Sequence, residues 1–169
     1  SGGHTTILRV DDFDAFTIVG TTRDDAAGEA FDKIAKFLGL GYPGGIIIEE
    51  LAQKGSGDYV SFPRPMKDDK NYDFSFSGLK TSFINYIKKN GIRDENRSDI
   101  LSSFQEAAFE VLSDKTLRAA EDLGIKTVVI GGGVASNGRL REVMEREGGR
   151  RGKEVFFSSP RFCTDNGAM

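Results

Sequence analysis

Four residues, Thr127-Val128-Val129-Ile130, run straight into three consecutive glycines, Gly131-Gly132-Gly133. A short β-branched run has strand character, and glycines behind it let the chain turn sharply. A helical stretch follows over about 137–147, and Glu154-Val155-Phe156-Phe157 reads as a last strand ending at Pro160. Strand, glycine turn, helix and strand in that order make this an α/β chain. The 127–130 run is expected to be a buried strand.

The elements upstream fit the same class. Thr6-Ile7-Leu8-Arg9-Val10 alternates weakly, and Phe16-Thr17-Ile18-Val19-Gly20-Thr21-Thr22 is rich in β-branched residues. With Asp11-Asp12-Phe13-Asp14 between them, they read as two antiparallel strands joined by a turn. From Asp25 the period changes: Ala27, Ala30, Phe31, Ile34, Phe37 and Leu38 recur at helical spacing, and Gly39 and Gly41 end the helix. Pro43-Gly44-Gly45 breaks the chain before a short helix over 46–54. Residues 55–76, with Pro63 and Pro65, read as a loop, and a loop of that length is usually functional or mobile. An amphipathic helix is expected over 78–89. Ser98 is the expected N-cap of a longer helix to about Leu123, with Ile100, Phe104, Ala107, Ala108, Val111, Leu112 and Leu117 as its apolar stripe.

Composition narrows the function classes. The 169 residues include 23 Lys+Arg and 26 Asp+Glu, a net charge of −3, and fit one domain. One cysteine rules out an internal disulfide framework or a cysteine-rich zinc site and fits a reducing compartment. One histidine rules out a multi-histidine metal site built from this chain alone. The longest apolar runs fall far short of the roughly 20 residues of a membrane span. The acidic balance argues against a surface that binds nucleic acid everywhere. Arg139, Arg141, Arg146, Arg150, Arg151 and Lys153 form a basic stretch interrupted by Glu142, Glu145 and Glu147. It reads as a solvated face with internal ion pairs, and its acid-free end, Arg150-Arg151-Gly152-Lys153, offers a phosphate-backbone contact as the alternative. Ser1 in place of an initiator Met, and the break-off at Met169, both read as the interior of a longer protein.

Three glycine turns sit beside strands or helices: Ser1-Gly2-Gly3-His4-Thr5, Pro43-Gly44-Gly45 and Gly131 to Asn137. Glycine lets backbone N–H groups approach a phosphate, and a helix N-terminus favours negative charge. Each turn alone is ordinary; three in one short chain point toward a nucleotide. Neither the dinucleotide nor the Walker glycine motif is present. Asp25 is expected to cap its helix, while Glu29 and Asp32 share a face and suit either dipole compensation or the hydroxyls of a ribose. Asp165, just after a strand end, is placed like a metal ligand or a loop-opening cap. Cys163 has no evident charge partner and reads as a small buried hydrophobe. Nothing marks His4 as a base.

Seven ordered motifs carry a resemblance: Ser1-Gly2-Gly3-His4-Thr5; Asp24 to Lys33; Leu38-Gly39-Leu40-Gly41-Tyr42-Pro43-Gly44-Gly45; Phe62-Pro63-Arg64-Pro65-Met66; Asp73-Phe74-Ser75-Phe76-Ser77-Gly78-Leu79-Lys80-Thr81; Gly131 to Arg141; and Cys163 to Met169. Together they resemble the bacterial tRNA threonylcarbamoyladenosine transferase family, once labelled O-sialoglycoprotein endopeptidase. The resemblance implies an actin/Hsp70/sugar-kinase-like fold with nucleotide between two related α/β domains, this chain (1–169) being the second. It implies transfer of threonylcarbamoyl from its adenylate to N6 of an adenosine beside the tRNA anticodon, in the cytoplasm. The implied partners are tRNA and the other proteins of the threonylcarbamoylation complex. Carried over by motif, Ser1, Gly2 and Gly3 would line the phosphate and acyl region. Asp32 and Glu49 would bind the ribose, Gly45 would approach it, and Asn137 would contact the nucleotide, ATP or threonylcarbamoyl-adenylate. Asp165 would be a ligand to iron or a similar metal. The family's His-x-x-x-His metal pair is absent, so this chain alone is expected to be inactive. A peptidase finds no support: there is no HExxH, and one histidine completes no convincing triad.

Two other classes share the superfold: a non-catalytic nucleotide-binding switch or scaffold, and an ATP-dependent sugar or acid kinase. The Asp73–Thr81 motif favours the transferase, although the sequence offers no physical account of that segment.

Overall fold

A 29-residue helix runs through the centre of the computed structural model, which describes residues 3–159 and Cys163. In chain order the elements are β1 (Thr6–Asp12), β2 (Ala15–Thr21), α1 (Ala27–Phe37), α2 (Gly44–Ala52), α3 (Ser77–Asn90), the central α4 (Asp94–Asp122), β3 (Thr127–Ile130), a 3-10 turn (Gly133–Ser136), α5 (Gly138–Arg150) and β4 (Glu154–Phe157). Among the described residues no helix is long and apolar enough to cross a membrane.

Helix α4 buries far more than one stripe. Ile100, Phe104, Ala107, Ala108, Val111 and Leu117 are buried as the spacing indicates, and Leu101, Ser103, Gln105, Phe109 and Lys115 are buried too. The helix is therefore surrounded: α2, α3, α5 and β3 all pack against it. It also starts before Ser98. The side chain of Asn96 accepts a hydrogen bond from the Arg93 N–H at 2.8 Å, and Asp94 and Glu95 place negative charge on the first turn. Ser98 lies inside the helix with its hydroxyl buried and unpartnered among the described residues. Four phenylalanines knit the core. Phe104 meets Phe31 of α1 and Phe83 of α3 edge-on, each at 5.2 Å, and Phe62 leans on Phe83 at 5.6 Å.

The strands form two pairs. β1 and β2 are antiparallel, with Leu8 opposite Ile18 and Val10 opposite Phe16. All four of these side chains are exposed on the outer part of the hairpin. β3 and β4 are parallel, with α5 as the crossover. Val155 faces α5, where Gly148 comes so near that a Cβ there would lie 2.5 Å from Val155 Cγ2, and its register partner Val128 is buried in the core. Strand period two then sends Val129 to the other face, where it is 72% exposed. The expectation of a buried strand over 127–130 is thus half corrected: helices cover one face only. A cleft of about 540 Å³, lined mainly by apolar side chains such as Ile7, Leu8, Val128 and Leu140, separates β1 from β3.

The 55–76 segment is a loop, and α4 fastens it along its length. The Ser103 hydroxyl accepts from the Val60 N–H at 3.0 Å, and Asp99 accepts from the Ser56 N–H at 2.7 Å. Further along, Arg118 donates to the carbonyls of Asp69 (2.6 Å) and Asn71 (2.9 Å), and buried Lys115 donates to the Asn71 carbonyl at 3.0 Å.

Candidate nucleotide site

The first turns of α2 and α5 each expose backbone N–H groups with no partner inside the helix, and carboxylates from neighbouring helices meet them. Asp32 of α1 accepts from the Gly44 N–H at 2.8 Å. Gly44 is the first residue of α2, and a Cβ there would lie 2.7 Å from Ala35 Cβ and 2.8 Å from Asp32 Cα. Only glycine lets α2 begin this close to α1. Next to it, Gly45 has nothing within 4 Å of where a Cβ would be, so its face is open. Glu49 lies one turn further along the same face of α2 and accepts from the Gly138 N–H at 2.7 Å, at the start of α5. Asn137 caps α5: its Oδ1 accepts from the Leu140 N–H at 3.1 Å, and its Nδ2 donates to Gln105 Oε1 at 3.0 Å.

Asp32, Gly45, Glu49 and Asn137 are therefore brought together along one path, α1 to α2 to α5. In Asp32 and in Glu49 the second carboxylate oxygen has no hydrogen-bond partner among the described residues. Each carboxylate can hold its helix and still accept from a ligand hydroxyl. Gly3 is described and exposed, leading through His4 to Thr5, whose hydroxyl accepts from the Ala27 N–H at 3.0 Å at the start of α1. Ser1, Gly2 and Asp165 lie outside the described residues.

Behind this path stands an interlock between two of the sequence motifs. Arg23 pairs with Asp73, Asp24 with the start of α3, and Asp25 with Lys80. Asp24 accepts four hydrogen bonds, from the Phe76 and Ser77 N–H groups (2.8 and 3.1 Å) and from the Ser75 and Ser77 hydroxyls (2.5 and 2.7 Å). Burial alone would raise the Asp24 carboxyl, but these donors outweigh it and hold it below the ordinary range. Asp25 behaves alike: burial opposes ionisation, and Lys33 and Lys80 more than compensate. The 73–81 motif thus acquires a physical account, as the partner that aligns α1 with α3. Sequence patterning missed it because pairs some fifty residues apart leave no period. The expectation that Asp25 caps α1 is corrected: both its oxygens are committed to lysines, while Glu29 reaches back to the Ala26 N–H at 3.3 Å.

The basic stretch is spent internally. Arg151 pairs with Asp114 (2.7 Å) and Glu121 (3.2 Å), and Arg146 and Arg150 pair with Glu147. Lys153 donates to the carbonyls of Ala120 and Ile125, closing the end of α4. The solvated-face reading holds, with partners on α4 as well as within α5, and the phosphate-backbone alternative loses its free cations. Arg139 is clamped by Glu106 on α4 and by Glu142, chiefly the Glu106 hydrogen bonds raising its already high pKa. Cys163 is buried as expected, but it has a cationic neighbour: an Arg141 guanidinium nitrogen lies 3.8 Å from its Sγ, the guanidinium resting on the Phe157 ring.

Comparison with known proteins bears on the family and the fold. The family model for TsaD, tRNA N6-adenosine threonylcarbamoyltransferase, matches residues 1–169. Relatives bearing that name include proteins of Geobacter metallireducens, 53% identical over 171 residues, and Thermotoga neapolitana, 51% identical over 169. Each match covers all of this chain and about half of the relative, 50% and 51% respectively. Among solved structures, full-length HypF in its phosphate- and nucleotide-bound form superposes with a TM-score of 0.65 at 20% identity, over 83% of this chain and 22% of that one. HypF of T. kodakarensis gives 0.62 at 24% identity, over 85% of this chain and 18% of that one. These two likenesses bear on the α/β fold alone. With the family model spanning every residue and relatives half identical throughout, the chain belongs to the tRNA N6-adenosine threonylcarbamoyltransferase family.

Proposed function

We propose that this chain is the nucleotide-holding half of an enzyme that transfers threonylcarbamoyl from threonylcarbamoyl-adenylate to N6 of an adenosine in tRNA. The observation that carries the reading is the path joining Asp32, Gly45, Glu49 and Asn137 across the first turns of α2 and α5. Asp32 and Glu49 accept from the ribose hydroxyls with their second oxygens, and Gly45 offers the open face against which the sugar lies. Asn137 contacts the nucleotide, and Ser1, Gly2 and Gly3 line the phosphate and acyl region. In the reaction the adenosine amine attacks the carbamoyl carbon, its N–C bond forms as the mixed-anhydride C–O bond breaks, the amine gives up a proton, and AMP leaves with the electron pair. Because the acyl group arrives activated, the chain's own work is binding and orientation. Fixed backbone dipoles at helix N-termini suit the negative charge that develops.

The same proposal includes the actin/Hsp70-like arrangement of two domains, the other proteins of the threonylcarbamoylation complex as partners, and the cytoplasm as location. An iron or similar ion, with Asp165 among its ligands, would polarise the acyl or phosphate oxygen. Among the described residues no group of three or more His, Cys, Asp or Glu gathers to hold a metal, so such an ion would need ligands from outside them.

The experiment is calorimetric titration with ATP, using Asp32→Asn in the full-length protein and in this chain. The variant keeps an acceptor for the Gly44 N–H and replaces the second oxygen by a donor. Binding by wild type that weakens at least tenfold in the variant, with the fold intact, is the expected result. Equal affinity for both overturns the ribose role of Asp32.

A further inference from the structure

Asn137, Gly138 and Arg139 are each gripped by a different side chain: Gln105 holds the Asn137 amide, Glu49 the Gly138 N–H, and Glu106 the Arg139 guanidinium. Two of these grips come from adjacent residues of α4. Glu49 and Glu106 are accounted for by charge. Gln105 is a neutral amide, only 4% exposed, on a helix whose buried neighbours Leu101, Phe104, Ala108 and Phe109 are apolar. Burying an amide costs free energy unless its hydrogen bonds are made, and Gln105 makes one, through Oε1 to Asn137. A leucine or methionine would fill the same space without that cost. A core position that keeps an amide for a single contact is organised around that contact.

The contact determines the Asn137 side chain. The cap bond to the Leu140 N–H requires an oxygen on one side of the amide, and Gln105 Oε1 requires an N–H on the other. With both ends specified, the amide plane and its O/N orientation are fixed, and with them the remaining Nδ2 hydrogen and the second lone pair of Oδ1. We infer that Gln105 is a positioning residue of the nucleotide site: it acts through Asn137, fixing the amide that meets the nucleotide. The inference rests on the nucleotide role given to Asn137 above.

The test uses the full-length protein with Gln105→Met, Gln105→Glu and Asn137→Ala, and reads both melting temperature and affinity. ATP is the probe throughout, with adenosine added for Gln105→Glu because it carries no phosphate for the new carboxylate to repel. Gln105→Met keeps length and apolar packing but loses the acceptor, and ATP binding should weaken roughly tenfold, the scale of one unmade buried hydrogen bond. Gln105→Glu keeps an acceptor for Asn137 Nδ2, and its adenosine affinity should stay within about threefold of wild type. A residue that merely packs would not be rescued this way. Gln105→Met binding ATP within twofold of wild type overturns the inference, as does Gln105→Glu losing adenosine as fully as Gln105→Met while melting normally. If Asn137→Ala itself leaves ATP affinity unchanged, the nucleotide role of Asn137 fails and takes the inference with it. That outcome is distinct from a strong Asn137→Ala effect beside a silent Gln105→Met.

Discussion

Gly44 and Gly45 are neighbours in sequence and in the same helix, yet adding one methyl group to each should have opposite effects. At Gly44 the methyl meets Ala35 Cβ at 2.7 Å and backbone atoms of Asp32 and Phe31 at 2.8 Å. That is about 0.6 Å short of ordinary contact, against groups that cannot rotate away, so α2 must back off from α1 and overpack its surroundings at a cost of roughly 1–3 kcal/mol. The better helix propensity of alanine returns up to about 1 kcal/mol. The net loss of about 1–2 kcal/mol corresponds to a melting temperature lower by roughly 2–8 °C in a chain of this size. The same shift lengthens the Asp32 bond to the Gly44 N–H. At Gly45 nothing stands in the way, the propensity gain is unopposed, and the melting temperature should rise by roughly 1–4 °C. Calorimetric melting of Gly44→Ala and Gly45→Ala beside wild type measures both. A Gly44→Ala protein as stable as wild type, or two variants shifted alike, would refute the packing argument. The same pair separates stability from ligand binding, because Gly45→Ala fills the open face and should weaken ATP binding while melting higher.

Other perturbations test the supports of the site. The Asp24 carboxyl titrates below its ordinary value of 3.8 in the fold, so its contribution is complete above that value and is lost as pH falls through the lower, folded one. Stability measured by denaturant titration from pH 5 downward should therefore fall more steeply in wild type than in Asp24→Asn, and superimposable slopes would exclude Asp24 as the source. Lys115 is buried with no carboxylate in contact among the described residues, and burial, aided by Arg118, lowers its pKa below 10.5. The unfolded chain then binds this proton more tightly than the fold, so wild-type stability should gain from this group as pH rises toward 10.5. Lys115→Met should remove that gain without loss at neutral pH, since the Asn71 carbonyl keeps its Arg118 donor; a large loss at pH 7 would show that the Lys115 hydrogen bonds dominate. Phe104→Ala removes the ring shared by α1, α3 and α4 and should cost about 3–5 kcal/mol, seen as a lower denaturant midpoint; a loss under 1 kcal/mol would mean that the cluster repacks.

Local chemistry was readable where the sequence is its own context. The bounds of β3 and β4 follow from β-branched or aromatic runs bracketed by glycine or proline, and the apolar spacing of α4 marks its most buried face. What escaped depends on partners distant in sequence. Ser98 has every local feature of a cap, but Asn96 and the acids before it open the helix a turn earlier. Asp25 has the right place for a cap and is diverted by Lys80, 55 residues away. The run Arg150-Arg151-Gly152-Lys153 holds no acid of its own, and the Arg151 partners Asp114 and Glu121 lie on another helix. At the site, motif resemblance singled out Asp32, Gly45, Glu49 and Asn137, while nothing in the spacing pointed to Gln105, whose role exists only once α4 and α5 are packed.

The length of α4, about 44 Å at 1.5 Å per residue, governs how the molecule comes apart. Each of the other helices, and the 55–76 loop, is attached directly to α4 or to a neighbour that is, whereas the outer β1–β2 hairpin is attached mainly at its base. Opening α4 therefore requires opening nearly everything, and opening the hairpin disturbs little else. Amide protons of residues 100–117 should exchange only with global unfolding, and those near the hairpin turn through small local excursions. A protease would find its first cut around residues 11–14, leaving the helices assembled on their axis.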